Sequence, residues 1–213
     1  MNKIQIFLGR HFLMHKKIFV SLSFIFAVIF IFSGIILADD EIDFDELKAR
    51  AFGGDTEAQF ELGVKYANGD GVEQDYFQAA KWYRRAAEKE HAGAMNDLGY
   101  MHLYGKGVAL DRKRAFEYFS SAAELGNAIA QNNLGAMYSD GIYVPERPAL
   151  AFKWTKKSAA QGYALAQYNL GVMYEYGKGV QKNAGKALEW YQKAAEQGNE
   201  DAEKGIERLS KRK

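Results

Sequence analysis

Four residues spaced 36 apart, Glu61, Asp97, Asn133 and Asn169, could carry recognition chemistry. The two carboxylates attract cations. Each asparagine offers a donor and an acceptor, so a column of amides can pair with the backbone of an extended peptide without reading its side chains. Catalytic chemistry has fewer candidates. The chain has no cysteine, and beyond residue 38 its histidines are His91 and His102. Neither stands in a spacing that suggests a serine nucleophile with its base. No H-E-x-x-H motif and no acidic calcium loop occurs. The GKGV strings at Gly105 and Gly177 lack the upstream glycine spacing of a phosphate loop and the Ser/Thr after its lysine. No catalytic residue, cofactor or metal is therefore expected, and the chemistry on offer is that of binding.

What positions the column is a repeat. AQFELGVKYANGDGV at Ala58 returns as AMNDLGYMHLYGKGV at Ala94, AQNNLGAMYSDGIYV at Ala130 and AQYNLGVMYEYGKGV at Ala166, always 36 residues on. A fixed period of this length is the signature of a solenoid. Each unit reads as two amphipathic helices. The first runs from about Thr56 to Asn68, with Leu62 and Tyr66 on one face, and is ended by Gly69 and Gly71. The second runs from about Tyr76 to Glu88 behind a cap at Asp75, and Asp111 and Asn183 fall at the same phase in other copies. Gly63, Gly99, Gly135 and Gly171 sit inside the first helices, where each costs about 1 kcal/mol relative to alanine. That cost in every copy predicts a neighbouring helix passing too close for a Cβ. Small pairs in the second helices, Ala86 with Ala87, Ala122 with Ala123 and Ala194 with Ala195, fit such an approach, and Trp82, Tyr118, Trp154 and Trp190 are expected to fill the core between.

The pattern A-x-x-x-L-G-x-x-Y-x-x-G-x-G-V followed by K-A-x-x-W-Y-x-x-A-A-x-x-G resembles the Sel-one-like repeat family, a relative of the tetratricopeptide repeats, over Ala58 to Gly198. The resemblance implies an all-α fold, a right-handed α/α solenoid of four 36-residue helix-loop-helix repeats with partial helical caps. By phase the repeats are 58–93, 94–129, 130–165 and 166–201, inside a repeat region of 58–198. A capping helix in 39–57 precedes them, and a second cap with a basic tail, 199–213, follows. Asp43 to Gly53 resembles a second helix alone, and Glu200 to Ser210 a truncated first helix. Several residues depart from the pattern. Glu90 replaces a glycine, His102 a tyrosine, and Thr155 and Ser158 an aromatic and an alanine. In the third repeat Tyr143 takes the place of the second loop glycine, just before Pro145 and Pro148, which makes 141–148 a candidate partner-specific loop.

If the tetratricopeptide phase applies, one face of each first helix lines a concave groove. It would carry Phe60, Glu61 and Val64, then Asn96, Asp97, Tyr100 and Tyr104. Asn132, Asn133 and Ala136 continue it, and Tyr168, Asn169, Val172 and Tyr176 complete it. The expected ligand is a protein or extended peptide, with a basic stretch toward the acidic end and the tyrosines adding apolar area with a hydroxyl handle.

The first 38 residues differ from the rest. Ile18 to Leu37 carries no charge, Lys3, Arg10, Lys16 and Lys17 precede it, and Asp39, Asp40, Glu41 and Asp43 follow it. Basic before apolar and acidic after predicts an export segment, either a signal peptide cleaved near Ala38 or an uncleaved N-terminal membrane anchor. Translation could begin at Met1 or at Met14. Setting aside the four basic residues of 1–38 turns the net charge from +1 to −3, which argues against a nucleic-acid partner. The expected protein is an exported, non-enzymatic interaction scaffold outside the cytoplasm, in the periplasm of a bacterium or secreted, or anchored in the inner membrane with its repeats outside. The alternatives are a structural stalk or a regulatory subunit of a membrane-associated complex, or, less in keeping with the residues, an enzyme.

Overall fold

The computed structural model describes residues 44–211; residues 1–43, on which the expected export segment and the start of the expected N-terminal cap fall, and residues 212–213 lie outside the described residues. Ten helices occupy that span: α1 Phe44–Phe52, α2 Thr56–Asn68, α3 Tyr76–Ala87, α4 Ala92–Tyr104, α5 Arg112–Glu124, α6 Ala128–Asp140, α7 Pro148–Ala160, α8 Ala164–Tyr176, α9 Ala184–Ala195 and α10 Glu200–Ser210. Each helix packs mainly on its neighbours in sequence, which makes the molecule an all-helical solenoid with α1 and α10 closing its two ends.

Local chemistry sets the helix ends. Asp55, Asp75, Asp111, Asn127, Asn183 and Asn199 each accept a backbone N–H of the first turn behind them. The third repeat solves the same problem differently. Arg147 makes no side-chain cap for α7, and Pro148 opens the helix at a position where a missing N–H is harmless. Every first helix stops at a left-handed glycine, Gly69, Gly105, Gly141 or Gly177, whose N–H returns to the carbonyl four residues back.

The mid-helix glycines are explained by what lies against them. A Cβ on Gly63 would stand 2.6 Å from the Tyr83 ring, on Gly99 2.8 Å from Phe119, and on Gly171 2.6 Å from Tyr191. On Gly135 it would meet Thr155 Oγ1 at 2.6 Å. The close neighbour is thus an aromatic ring at three of the four glycines and a threonine hydroxyl at the fourth, and at Gly135 and Gly171 the carbonyls of Ala151 and Ala187 also come within 3.2 Å.

This arrangement corrects the expected core aromatics. Trp82 is buried, but Tyr118, Trp154 and Trp190 are only partly so. Arg85, Lys157 and Lys193 lie over the Trp82, Trp154 and Trp190 rings at 4.5, 4.3 and 4.4 Å from the centroids. The deeper set is one residue later, Tyr83, Phe119, Thr155 and Tyr191. Adjacent positions on a helix point about 100° apart, so the second residue of each W-Y pair, and not the first, meets the glycine.

Two departures from the repeat pattern have visible backbone consequences. Glu90 and Tyr143 keep the positive φ of the glycines they replace, at 61° and 68°. Each carries the strain of a side chain in the left-handed region, on the order of 1 kcal/mol. His102 is buried as expected of a core residue, stacked on Tyr118 with its Nδ1 3.2 Å from the carbonyl oxygen of Ala109. Burial holds its pKa below the ordinary value despite that hydrogen bond.

Candidate functional site

The faces of α2 and α4 meet the start of α6 around a groove of about 700 Å³. Phe60 and Val64 come from α2, Asn96, Asp97, Tyr100 and Met101 from α4, and Asn127 and Ile129 from the α6 N-terminus. Tyr83 forms part of the lining from α3, while Asp70, Lys106 and His91 enter from the connecting segments. Five of the sequence candidates, Phe60, Val64, Asn96, Asp97 and Tyr100, therefore share one concavity.

Asp97 is the polar centre of that lining. Its Oδ1 accepts the Asn96 side-chain amide at 3.0 Å, and the Tyr83 hydroxyl lies near enough to its carboxylate to favour the charged form. Burial pushes the Asp97 carboxyl up to about 6, and the influence of Asn96 and Tyr83 only partly opposes the shift. The Tyr83 hydroxyl is held above the ordinary tyrosine range, first by its own burial and then by the neighbouring carboxylate. Among the described residues no lysine, arginine or histidine pairs with Asp97. Lys106 lies over the rings of Tyr76 and Tyr100 at 5.3 and 5.2 Å. His91 accepts the Ala94 N–H through Nδ1 at 3.0 Å, turns Nε2 toward Glu57 at 3.3 Å, and stacks on Phe60.

The asparagines are placed otherwise than an open ladder would require. Asn96, Asn132, Asn133 and Asn169 are all buried. Asn133 Nδ2 donates to Asn96 Oδ1 at 3.1 Å, and Asn169 Nδ2 to Asn132 Oδ1 at 2.9 Å, each across 37 residues of sequence. The amides of Asn133 and Asn169 thus join neighbouring first helices, and of the four only Asn96 lines the groove. The bonded partners thus fall one residue off the period. The remaining candidates divide. Glu61 is partly exposed on α2, away from the groove lining, and Tyr104 and Tyr176 are 47% and 45% exposed at the ends of α4 and α8. Tyr168 packs against Tyr191 in the last repeat, beside buried Val172, and Ala136 is buried.

Sequence reasoning missed Tyr83, Lys106 and His91 as parts of the lining. Tyr83 could have been found from its phase, since it falls where Phe119 and Tyr191 recur. Lys106 was hidden in a GKGV string that reads as plain loop.

At the far end of the stack a second polar cluster closes the structure. Buried Glu175 accepts the Tyr191 hydroxyl at 2.8 Å and two guanidinium bonds from Arg208, at 2.9 and 2.6 Å. Among the described residues no cluster of His, Asp and Glu is arranged to hold a metal ion, and no helix is long and apolar enough to cross a membrane.

The model of the Sel1 repeat family matches the chain four times in succession, at residues 56–91, 92–127, 128–163 and 164–199. Among solved structures the chain is similar to a protective antigen of uropathogenic Escherichia coli with an SLR fold. That match has 40% identity and a TM-score of 0.70, and covers 74% of this chain and 34% of the other. It is similar also to a Sel1 repeat protein from Oxalobacter formigenes, with 34% identity, a TM-score of 0.71, and coverage of 76% and 64%. An immunity protein from Pseudomonas aeruginosa matches at 28% identity and a TM-score of 0.53, with 74% and 58% covered. The chain thus spans less than two thirds of each of these relatives. Among curated proteins no significant match is found.

Proposed function

We propose that this chain, which belongs to the Sel1 repeat family, is an exported scaffold that holds an extended segment of a partner protein in the groove between its first repeats. Sel1-repeat proteins are generally protein-interaction scaffolds. The observation that carries the finer reading is the groove of about 700 Å³ built on α2, α4 and the start of α6. It combines apolar walls from Phe60, Val64, Met101 and Ile129 with polar groups at Asn96, Asp97 and Tyr100, the mixture that small binding clefts use for affinity and orientation. A non-enzymatic role fits the sequence, which offers no nucleophile and base in a workable spacing. Export rests on the charge asymmetry around the apolar run Ile18–Leu37, and the periplasm is the compartment that best fits a chain whose relatives are bacterial.

The test is affinity capture with the full chain, comparing wild type with Val64→Trp, which fills the groove, and Lys153→Glu, which alters an exposed residue of α7. Loss of the same partner in Val64→Trp alone, with circular dichroism unchanged, is the expected result. Equal recovery by all three proteins would remove the groove from the mechanism. N-terminal sequencing of the mature protein tests export: a start at Asp39, or a membrane-held form retaining residue 18, fits, and full-length protein in the cytosol does not.

A further inference from the structure

Asp97 is a carboxylate kept in a mostly apolar groove on neutral donors alone. Asn96 holds it in place with the Tyr83 hydroxyl close by, and Asn133 in turn holds Asn96 from the next repeat. The charged and titratable groups around the groove come from every element that borders it: Asp70 after α2, Tyr76 and Tyr83 of α3, His91 before α4, Tyr100 of α4 and Lys106 after it. Of the two that can be cationic, Lys106 is spread over two tyrosine rings and His91 is tied to the Ala94 N–H and Glu57. Neither neutralises Asp97. A desolvated charge without an opposite charge is costly, and here the cost shows as a carboxyl pushed up to about 6 by burial. At neutral pH the group is nonetheless mostly ionised, so the groove presents a fixed negative charge awaiting a cation.

We propose that the groove seats a lysine or arginine side chain of the partner's extended segment, with Asp97 reading its charge. The proposal rests on the groove being the binding face and adds what that face selects. The aliphatic stem of such a side chain would lie on Phe60 and Val64 while its head reaches Asp97, as long basic side chains commonly divide themselves. A neutral occupant of equal size would bury Asp97 further without compensating it, and an acidic one would meet both Asp97 and Asp70. Selectivity then comes as much from what the groove rejects as from what it holds.

The experiment uses the full chain and four fluorescein-labelled pentapeptides, Gly-Ala-X-Ala-Gly, with lysine, arginine, norleucine or glutamate at X. Binding is read by fluorescence anisotropy at about pH 7.5 and about pH 5, on either side of the Asp97 transition. The lysine and arginine peptides should bind about tenfold or more tighter than norleucine at the higher pH, the scale of a partly desolvated charge pair. The preference should shrink at the lower pH and disappear in Asp97→Asn, which keeps an acceptor for Asn96 and Tyr83. The norleucine peptide tests the same point without altering the protein. Norleucine or glutamate binding as tightly as lysine, a preference that survives Asp97→Asn, or no binding of any peptide would each overturn the proposal. Val64→Trp separates the two levels of the reading. If norleucine binds as well as lysine but both are lost in Val64→Trp, the groove stands and its charge selectivity falls. If the lysine peptide binds Val64→Trp as well as wild type, the groove falls too.

Discussion

Asn133 on α6 donates its side-chain amide to Asn96 Oδ1 on α4 at 3.1 Å, and Asn96 passes its own amide to Asp97. The two bonds make a short relay that runs from the third repeat into the groove of the first two. Asn133 is 1% and Asn96 2% exposed, so water has little access to the bond between them.

Removing the donor of this relay should therefore be expensive. Asn133→Ala leaves Asn96 Oδ1 buried without its partner and is expected to cost about 1–3 kcal/mol, read by urea denaturation. In a double-mutant cycle with Asn96→Ala the two effects should fall short of adding, because one bond is being removed twice. Strict additivity would mean the pair does not interact.

The glycine contacts predict an unequal response to one added methyl. Gly171→Ala drives a Cβ into the Tyr191 ring at 2.6 Å, and that ring is trapped between Gly171 and Gly205 with its hydroxyl bonded to Glu175. It should lose roughly 2–3 kcal/mol, the range of core overpacking. Gly135→Ala meets Thr155 Oγ1, a small group able to rotate away, and should lose less, although the Ala151 carbonyl limits the relief. Thermal melts of the two variants decide it, and equal losses would show that the backbone contact, not the ring, sets the spacing.

Asp97 links stability to pH in a definite direction. Its folded-state carboxyl is raised from 3.8 to about 6, so the folded protein holds this proton more tightly than the unfolded chain. The stabilisation is fully present below about pH 4 and is lost as pH rises through 6, a change on the order of 2–3 kcal/mol. Asp97→Asn should then melt higher than wild type at pH 7.5, with the gap narrowing toward pH 4. A variant that melts lower at both would mean the carboxylate is compensated in the folded state.

Arg208 ties the terminal helix α10 to the body through Glu175. Arg208→Ala removes two charge-assisted bonds from a carboxylate that is only 1% exposed and is expected to cost roughly 3 kcal/mol. Because a solenoid's units are coupled mainly to their neighbours, hydrogen exchange should quicken in α9 and α10 well before α2 and α3. Uniform quickening along the chain would argue for a single cooperative unit.

The sequence alone determined the elements and their order. The period, the cap residues Asp75, Asp111 and Asn183 and the glycines after each first helix act within one repeat, so they recur at fixed phase and can be read from the chain. The mid-helix glycines likewise announced a close contact. What the sequence left open is which ring makes it, and whether an asparagine faces a ligand or the next helix. Those depend on how neighbouring repeats pack, which pairs Asn133 with Asn96 at 37 residues and not at the 36 of the period. Tertiary structure also brought Tyr83 of one repeat to Asp97 of the next, a pairing between a core ring and a groove carboxylate that recurs in no other copy, because Phe119 and Thr155 replace the tyrosine and Asn133 and Asn169 replace the acid. Contacts inside a repeat are copied with it and become visible as a pattern. The contact that centres the groove occurs once, between repeats, where only the packed molecule decides the geometry.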